Sequence, residues 1–148
     1  MGNNQIGSNQ TICTGQTPSA LTGSLPTGSG GVYGYQWESS TNNVNWNILS
    51  TGTTQGLTLG THSQTTYYRR IVSSTPCAAV TSSSIEILVL PLIGNNTVQA
   101  DQTICAGNIP SPFSGSIPTG GSGVYAYQWL SSTTPNGPWS TIPAQTGQ

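Results

Sequence analysis

The chain contains no lysine, and its two arginines, three carboxylates and single histidine leave charged residues at 3% of 148 positions. So few cations cannot grip a phosphate backbone or an anionic bilayer, which excludes nucleic acid and membrane-surface partners. Without lysine, an intramolecular Lys–Asn isopeptide bond is excluded too. Long apolar runs are also missing. The longest, Ile85 to Ile93, is broken by Glu86 and Pro91 and is far shorter than the ~20 residues that span a bilayer, so no membrane insertion is expected. Met1 to Gln5 carries neither a basic start nor an apolar stretch, so no secretory signal is read there. Apolar spacing of 3.6 residues is absent throughout, which leaves no amphipathic helix to expect.

Catalytic constellations are equally scarce. Nucleophilic catalysis needs a Ser or Cys beside a base, and the one candidate base, His62, lies in a Gly-Thr-His-Ser turn that reads as an exposed loop. Glu38, Glu86 and Asp101 do not form the carboxylate pair that glycoside hydrolysis uses, nor the carboxylate-rich loop of a calcium site. No CxxC or Cys/His spacing suggests a metal, and Gly28 to Gly31 lacks the lysine and following helix of a phosphate loop. The expectation is a protein that is not an enzyme, with no cofactor, no catalytic residue and no metal site.

What the chain does contain is itself, almost twice. Gly28 to Thr41 returns as Gly120 to Thr133 at an offset of 92 residues, and the same offset carries Asn3-Asn4 to Asn95-Asn96 and Thr11-Ile12-Cys13 to Thr103-Ile104-Cys105. One extra residue near Pro135-Asn136-Gly137-Pro138 then shifts the register, so that Trp46 answers to Trp139; a turn insertion between strands has this form. The second copy has no counterpart of Gly56 to Leu90. Two front halves and one back half therefore share one chain, which reads either as a window on a longer tandem array or as a module completed by a strand from another polypeptide.

The remaining composition is Ser, Thr, Gly, Asn and Gln punctuated by short β-branched and aromatic runs, and four Trp and six Tyr argue against disorder. Residues 1–91 read as a complete module of seven short strands near Gln10–Cys13, Ala20–Gly23, Val32–Glu38, Trp46–Leu49, Gly56–Leu59, Thr65–Ser73 and Ser83–Leu90. Residues 92–148 read as the front half of a second. The fold class is all-β, with immunoglobulin-like β-sandwich modules in tandem and the second incomplete. Period two puts Tyr35 and Trp37 on one face, and their copies Tyr127 and Trp129 likewise, so these four are the expected core. Thr65 to Ser73 should lie beside the Trp37 strand, with one arginine meeting Glu38. Which of Tyr67/Arg69/Ile71 and Tyr68/Arg70/Val72 faces inward is not decided by the sequence.

Cys13 opens the first module and Cys77 lies between its last two strands. A Cys13–Cys77 disulfide is expected, closing a loop of about 64 residues, with Cys105 paired outside this segment; three buried thiols are the alternative. Two N-x-T acceptors, Asn9 and Asn95, are within the reach of chance in so Asn- and Thr-rich a chain. Trp46 and Trp139 lie beside turns, outside the core strand, and are the candidates for facing a ligand such as a surface glycan.

The elements Q-T-I-C-x-G, then P-T-G-G-S-G-x-Y-x-Y-Q-W-x-S-S-T, N-W, T-T-Y-Y-R-R-I-V and a late Cys resemble the immunoglobulin-like repeats of giant surface adhesins and filament proteins of gliding and related Gram-negative bacteria, exported by the type IX route. The resemblance covers all of the first module and the front of the second. It implies an extracellular, cell-surface location, a stalk or fibre role, and end-to-end neighbouring copies of the repeat as partners. A carbohydrate- or surface-binding module completed by a partner strand is the alternative.

Overall fold

In a computed structural model that describes residues 1–28, 30–99 and 101–147, the chain divides into two units, Met1–Pro91 and Leu92–Gln148. Its described residues form strands, bridges and turns and no helix. The first unit contains β1 (Gln10–Cys13), β2 (Gly34–Ser40), β3 (Asn47–Ile48), β4 (Thr66–Ser74), β5 (Cys77–Thr81) and β6 (Ile85–Leu90).

β4 is the spine of this unit because its alternation is strict: Tyr68, Arg70, Val72 and Ser74 are buried while the residues between them are half-buried or exposed. That is the period-two pattern of a strand with one face on a core. One edge of β4 pairs antiparallel with β2 over seven residues, from Gly34 opposite Ser73 to Ser40 opposite Tyr67. The other edge takes the chain's return in two pieces. β5 pairs with its second half, from Ser74 opposite Cys77, and β6 pairs with its first half, Thr66 opposite Ile87. Between the pieces the register steps by one residue, and Ser82 closes the gap by exchanging bonds with Arg70: its N–H donates to the Arg70 carbonyl and its hydroxyl accepts the Arg70 N–H. β1 runs parallel to β6 on the outer edge, and β3 closes the opposite edge on β2, giving the mixed order β1-β6-β4-β2-β3.

A second layer faces this sheet through sparse bridges. Residues 2–7 pair antiparallel with residues 22–27, and Leu21 exchanges both backbone bonds with Leu57. Leu21 and Leu57 bring the apolar side chains of this layer onto Trp37, Tyr68, Ile85 and Ile87, with Ile6, Ile12, Leu49 and Leu59 at the rim. Two layers enclosing one core are compatible with a β-sandwich. Trp37 is fully buried; its indole N–H donates to the Thr54 carbonyl at 3.0 Å, and its backbone is tied to Gly52 and Leu49. Gly52 has to be glycine, since a Cβ there would stand 2.7 Å from the Trp37 Cβ.

The sequence places most of these elements within two residues. Its Trp strand begins at Val32, whereas β2 begins at Gly34, because Val32 is 81% exposed at the end of a glycine-rich loop. Gly28 and Gly31 turn that loop with positive φ angles, and its Ser29 lies outside the described residues. β5 was not expected at all, and Cys77 opens it rather than sitting in a loop.

That placement corrects the expected disulfide. Cys13 and Cys77 are not joined to each other: Cys13 pairs with Leu90 beyond the first residue of β4, while Cys77 pairs with Ser74 at its last. The nine residues of β4, at about 3.3 Å each, separate the two, against the ~4.4–6.8 Å between Cα atoms that a disulfide spans. Cys105 is exposed.

The second unit repeats the local scaffold of the first without its spine. β7 (Leu130–Ser131) pairs with β8 (Ser140–Thr141), and bridges join Gly94 to Thr119 and Val98 to Gly115. Trp129 donates its backbone N–H to Gln145, receives that of Ile142 and donates its indole N–H to Gly147. These are the bonds of Trp37 to Gly52, Leu49 and Thr54, shifted by the sequence offset and the one inserted residue. With no described strand in place of β4 and β6, Trp129 and Tyr127 are only half-buried. Tyr35 is half-buried too, so of the four expected core aromatics Trp37 alone is enclosed.

Candidate functional site

The adjacent arginines of β4 point to opposite faces and build two different arrangements. Arg70 is fully buried, directly across the ladder from Trp37. Its Nε donates to Asn4 Oδ1 at 2.9 Å, its Nη1 to the Gln55 carbonyl at 2.7 Å, and its Nη2 to the Ser24 carbonyl at 3.0 Å and the Gln5 carbonyl at 3.4 Å. The rings of Tyr35 and Trp37 stand 5.2 and 5.8 Å from the guanidinium carbon. Among the described residues no carboxylate pairs with it. A buried cation is tolerated only where dipoles replace its hydration, and here backbone carbonyls, one amide oxygen and two π-faces do so. Burial holds the Arg70 pKa below its ordinary value, partly offset by the charge interaction with Tyr35. Asn4 fastens the arrangement from its other end, its Nδ2 donating to the carbonyls of Arg70 and Val80. Gly23 makes it possible, since a Cβ at that position would lie 1.8 Å from Nη1.

On the outer face Arg69 binds Glu38, Nε to Oε2 at 2.6 Å, with its guanidinium carbon 4.2 Å from the Trp46 ring centroid. The expected arginine–Glu38 contact is therefore made by Arg69, and one face of Trp46 is already covered. Trp139 has no arginine over it and is 57% exposed. Beside this, the Tyr67 hydroxyl donates to Glu86 Oε1 at 2.9 Å, which raises the Tyr67 pKa. His62 is not the solvated loop residue the sequence suggests: it is half-buried, its Nδ1 lies 2.9 Å from the Gly60 carbonyl and its Nε2 2.7 Å from the Tyr68 hydroxyl. A carbonyl can only accept, so Nδ1 carries the hydrogen, and in the neutral ring Nε2 accepts from Tyr68. Burial raises the pKa of Tyr68.

Chemically, these arrangements clamp strands together. Glu38 and Glu86 are each engaged by a β4 residue, and Asp101 is exposed in the other unit. Among the described residues no three His, Cys, Asp or Glu side chains gather as a metal site, and no helix is long and apolar enough to cross a membrane. Sequence reasoning missed the Arg70 site. Its available signals were an arginine in an otherwise apolar strand face and the glycine shared by positions 23 and 115.

No curated protein and no solved structure matches the chain. The profile of a domain family described only as a domain of unknown function, DUF8696, matches residues 2–91 and 94–148. Its first stretch ends where the first unit ends, at residue 91, and its second begins at residue 94, inside the second unit. With all but a few residues matched, the chain belongs to the DUF8696 family.

Proposed function

We propose that the chain is a structural repeat of an extracellular tandem-repeat adhesin or filament, its modules immunoglobulin-like sandwiches that build length rather than perform chemistry. The observation that carries this reading is the recurrence of one hydrogen-bonded scaffold: Asn3 and Asn95 each donate from Nδ2 to a carbonyl twenty-two residues on, at 2.7 Å in both, and both have positive φ. The order β1-β6-β4-β2-β3, with a parallel outer pair, supports an immunoglobulin-like sheet, in which the first strand joins the last at one edge. The near-absence of charge supports modules that repel one another little and associate with neighbouring copies. Electron microscopy of the native material, with the intact mass of its polypeptide, tests the proposal. Long uniform fibres from a very large polypeptide are expected; discrete particles from a chain of this length would overturn it.

A second reading, a module directed at surface glycans, is favoured by one observation, the exposed indole of Trp139. Flat rings stack on pyranose faces, and neighbouring amides and hydroxyls supply neutral hydrogen bonds. Glycan-array binding that disappears on Trp139→Ala would support it, and an array without signal would remove it.

A further inference from the structure

The arginine clamp of the first unit has an unfilled counterpart in the second. Counting along the repeat, Asn4, Gln5 and Ser24 correspond to Asn96, Thr97 and Ser116, and Tyr35 and Trp37 to Tyr127 and Trp129. The frame holding these groups is in place: the Ser116 hydroxyl accepts the Thr97 N–H at 2.9 Å, as the Ser24 hydroxyl accepts that of Gln5. The bridge Val98–Gly115 likewise repeats Ile6–Gly23. What the second unit lacks is any arginine or lysine, its one charged side chain being Asp101.

Gly115 is informative because nothing in the chain around it requires glycine. Its φ is not positive, and a Cβ there would meet only the Thr97 carbonyl oxygen at 3.5 Å, an ordinary contact. At Gly23 the same Cβ would collide with the Arg70 guanidinium. The apolar side chains tell the same story. Val98, Ile104 and Phe113 are 58%, 49% and 49% exposed, whereas their counterparts Ile6, Ile12 and Leu21 pack in or against the core. A groove of about 610 Å³ runs along Gln102, Thr103 and Ile104, whose counterparts in β1 pair with β6. The complete unit thus shows, position by position, what would cover this face.

We propose that the open face of the second unit is an acceptor for a β-hairpin of the kind β4 and β6 form in the first, seated by an inward-pointing arginine in the Tyr-x-Arg-x-Val pattern of Tyr68, Arg70 and Val72. The arginine enters between the Tyr127 and Trp129 rings and donates to Asn96 Oδ1 and to the Thr97 and Ser116 carbonyls. Its flanking Tyr and Val cover the apolar side chains, and the hairpin's second strand pairs alongside Thr103-Ile104. This mode is β-augmentation, in which backbone bonds give affinity and inward side chains give register. The proposal does not depend on where the protein resides or on whether it forms fibres.

The test is titration of the full chain with a peptide of the sequence of residues 56–90, followed by hydrogen exchange resolved along the chain. Saturable binding with new protection at residues 102–105 and 125–131 is expected. Replacing the peptide's Arg70 by Met or Lys should weaken binding tenfold or more, about 1.4 kcal/mol, because an ammonium cannot reach the dispersed acceptors a guanidinium fork serves. Gly115→Ala should leave the circular dichroism of the free chain unchanged and abolish the new protection. Binding indifferent to both changes, or protection changes confined to residues 57–90, would overturn the proposal. Should the peptide aggregate, the same residues appended after Gln148 decide the matter: protection of residues 125–131 that needs the appended arginine supports the proposal, and its absence overturns it.

Discussion

Arg70 is the residue on which the first unit turns. Arg70→Met should destabilise that unit by about 3–5 kcal/mol, since it leaves Asn4 Oδ1 and two or three carbonyls buried without donors. Arg70→Lys should recover little of that, and urea denaturation of the two variants measures both. Gly23→Ala is expected to be as damaging, by steric displacement of the same guanidinium. Arg69 behaves differently because it is partly solvated: Trp46→Ala should cost about 0.5–1 kcal/mol, in the range of exposed cation–π pairs. The two arginines were indistinguishable in the sequence. Tyr67/Arg69/Ile71 and Tyr68/Arg70/Val72 are the same sequence of side-chain types shifted by one residue, so their orientation is set by what β2 and residues 2–7 bring up to each face. Trp37 was legible, because Tyr-x-Tyr-x-Trp has only one apolar face to bury. The hydroxyls add a pH dependence. Tyr68 and Tyr67 both hold their protons more tightly folded than unfolded, so their contribution is intact below pH 10, the ordinary tyrosine value, and declines as pH rises through the raised folded values. Arg70 acts in the opposite sense, its lowered pKa letting the folded chain shed a proton first. Alkaline denaturation of Tyr68→Phe beside the unsubstituted chain isolates the contribution of Tyr68, and a shallower loss in the variant is expected.

At the scale of elements, the long periodic strands were readable and the short ones were not. β4 and β6 announce themselves by β-branched and aromatic residues, whereas β5 reads Cys-Ala-Ala-Val-Thr, which carries too little apolar alternation to separate from a loop. Its place is dictated by β4, whose free second half it covers. The same pairing removes the expected disulfide. Oxidised material digested without reduction should yield Cys13 and Cys77 in peptides that are not linked to each other, because the length of β4 lies between them. A Cys13–Cys77 cross-link recovered by mass spectrometry would contradict the register of that sheet.

The whole molecule is unequal in its halves. Among the described residues every buried apolar side chain of the core belongs to the first unit, and the second unit encloses no comparable cluster. Small units that bury little surface are marginal. Limited proteolysis with chymotrypsin should therefore cut first at Phe113, Tyr125 or Tyr127, and leave the Tyr67-Tyr68 bond within β4 intact, with cleavage sites read by mass spectrometry. Both arginines, the chain's only side-chain cations apart from any charge on His62, sit side by side on one strand. One is sealed inside, and the other is bound to a carboxylate and an indole. The exterior is left with almost no fixed charge for dissolved ions to screen. Electrostatic contacts contribute little to what such a surface can bind, so its associations should change little between dilute buffer and physiological salt.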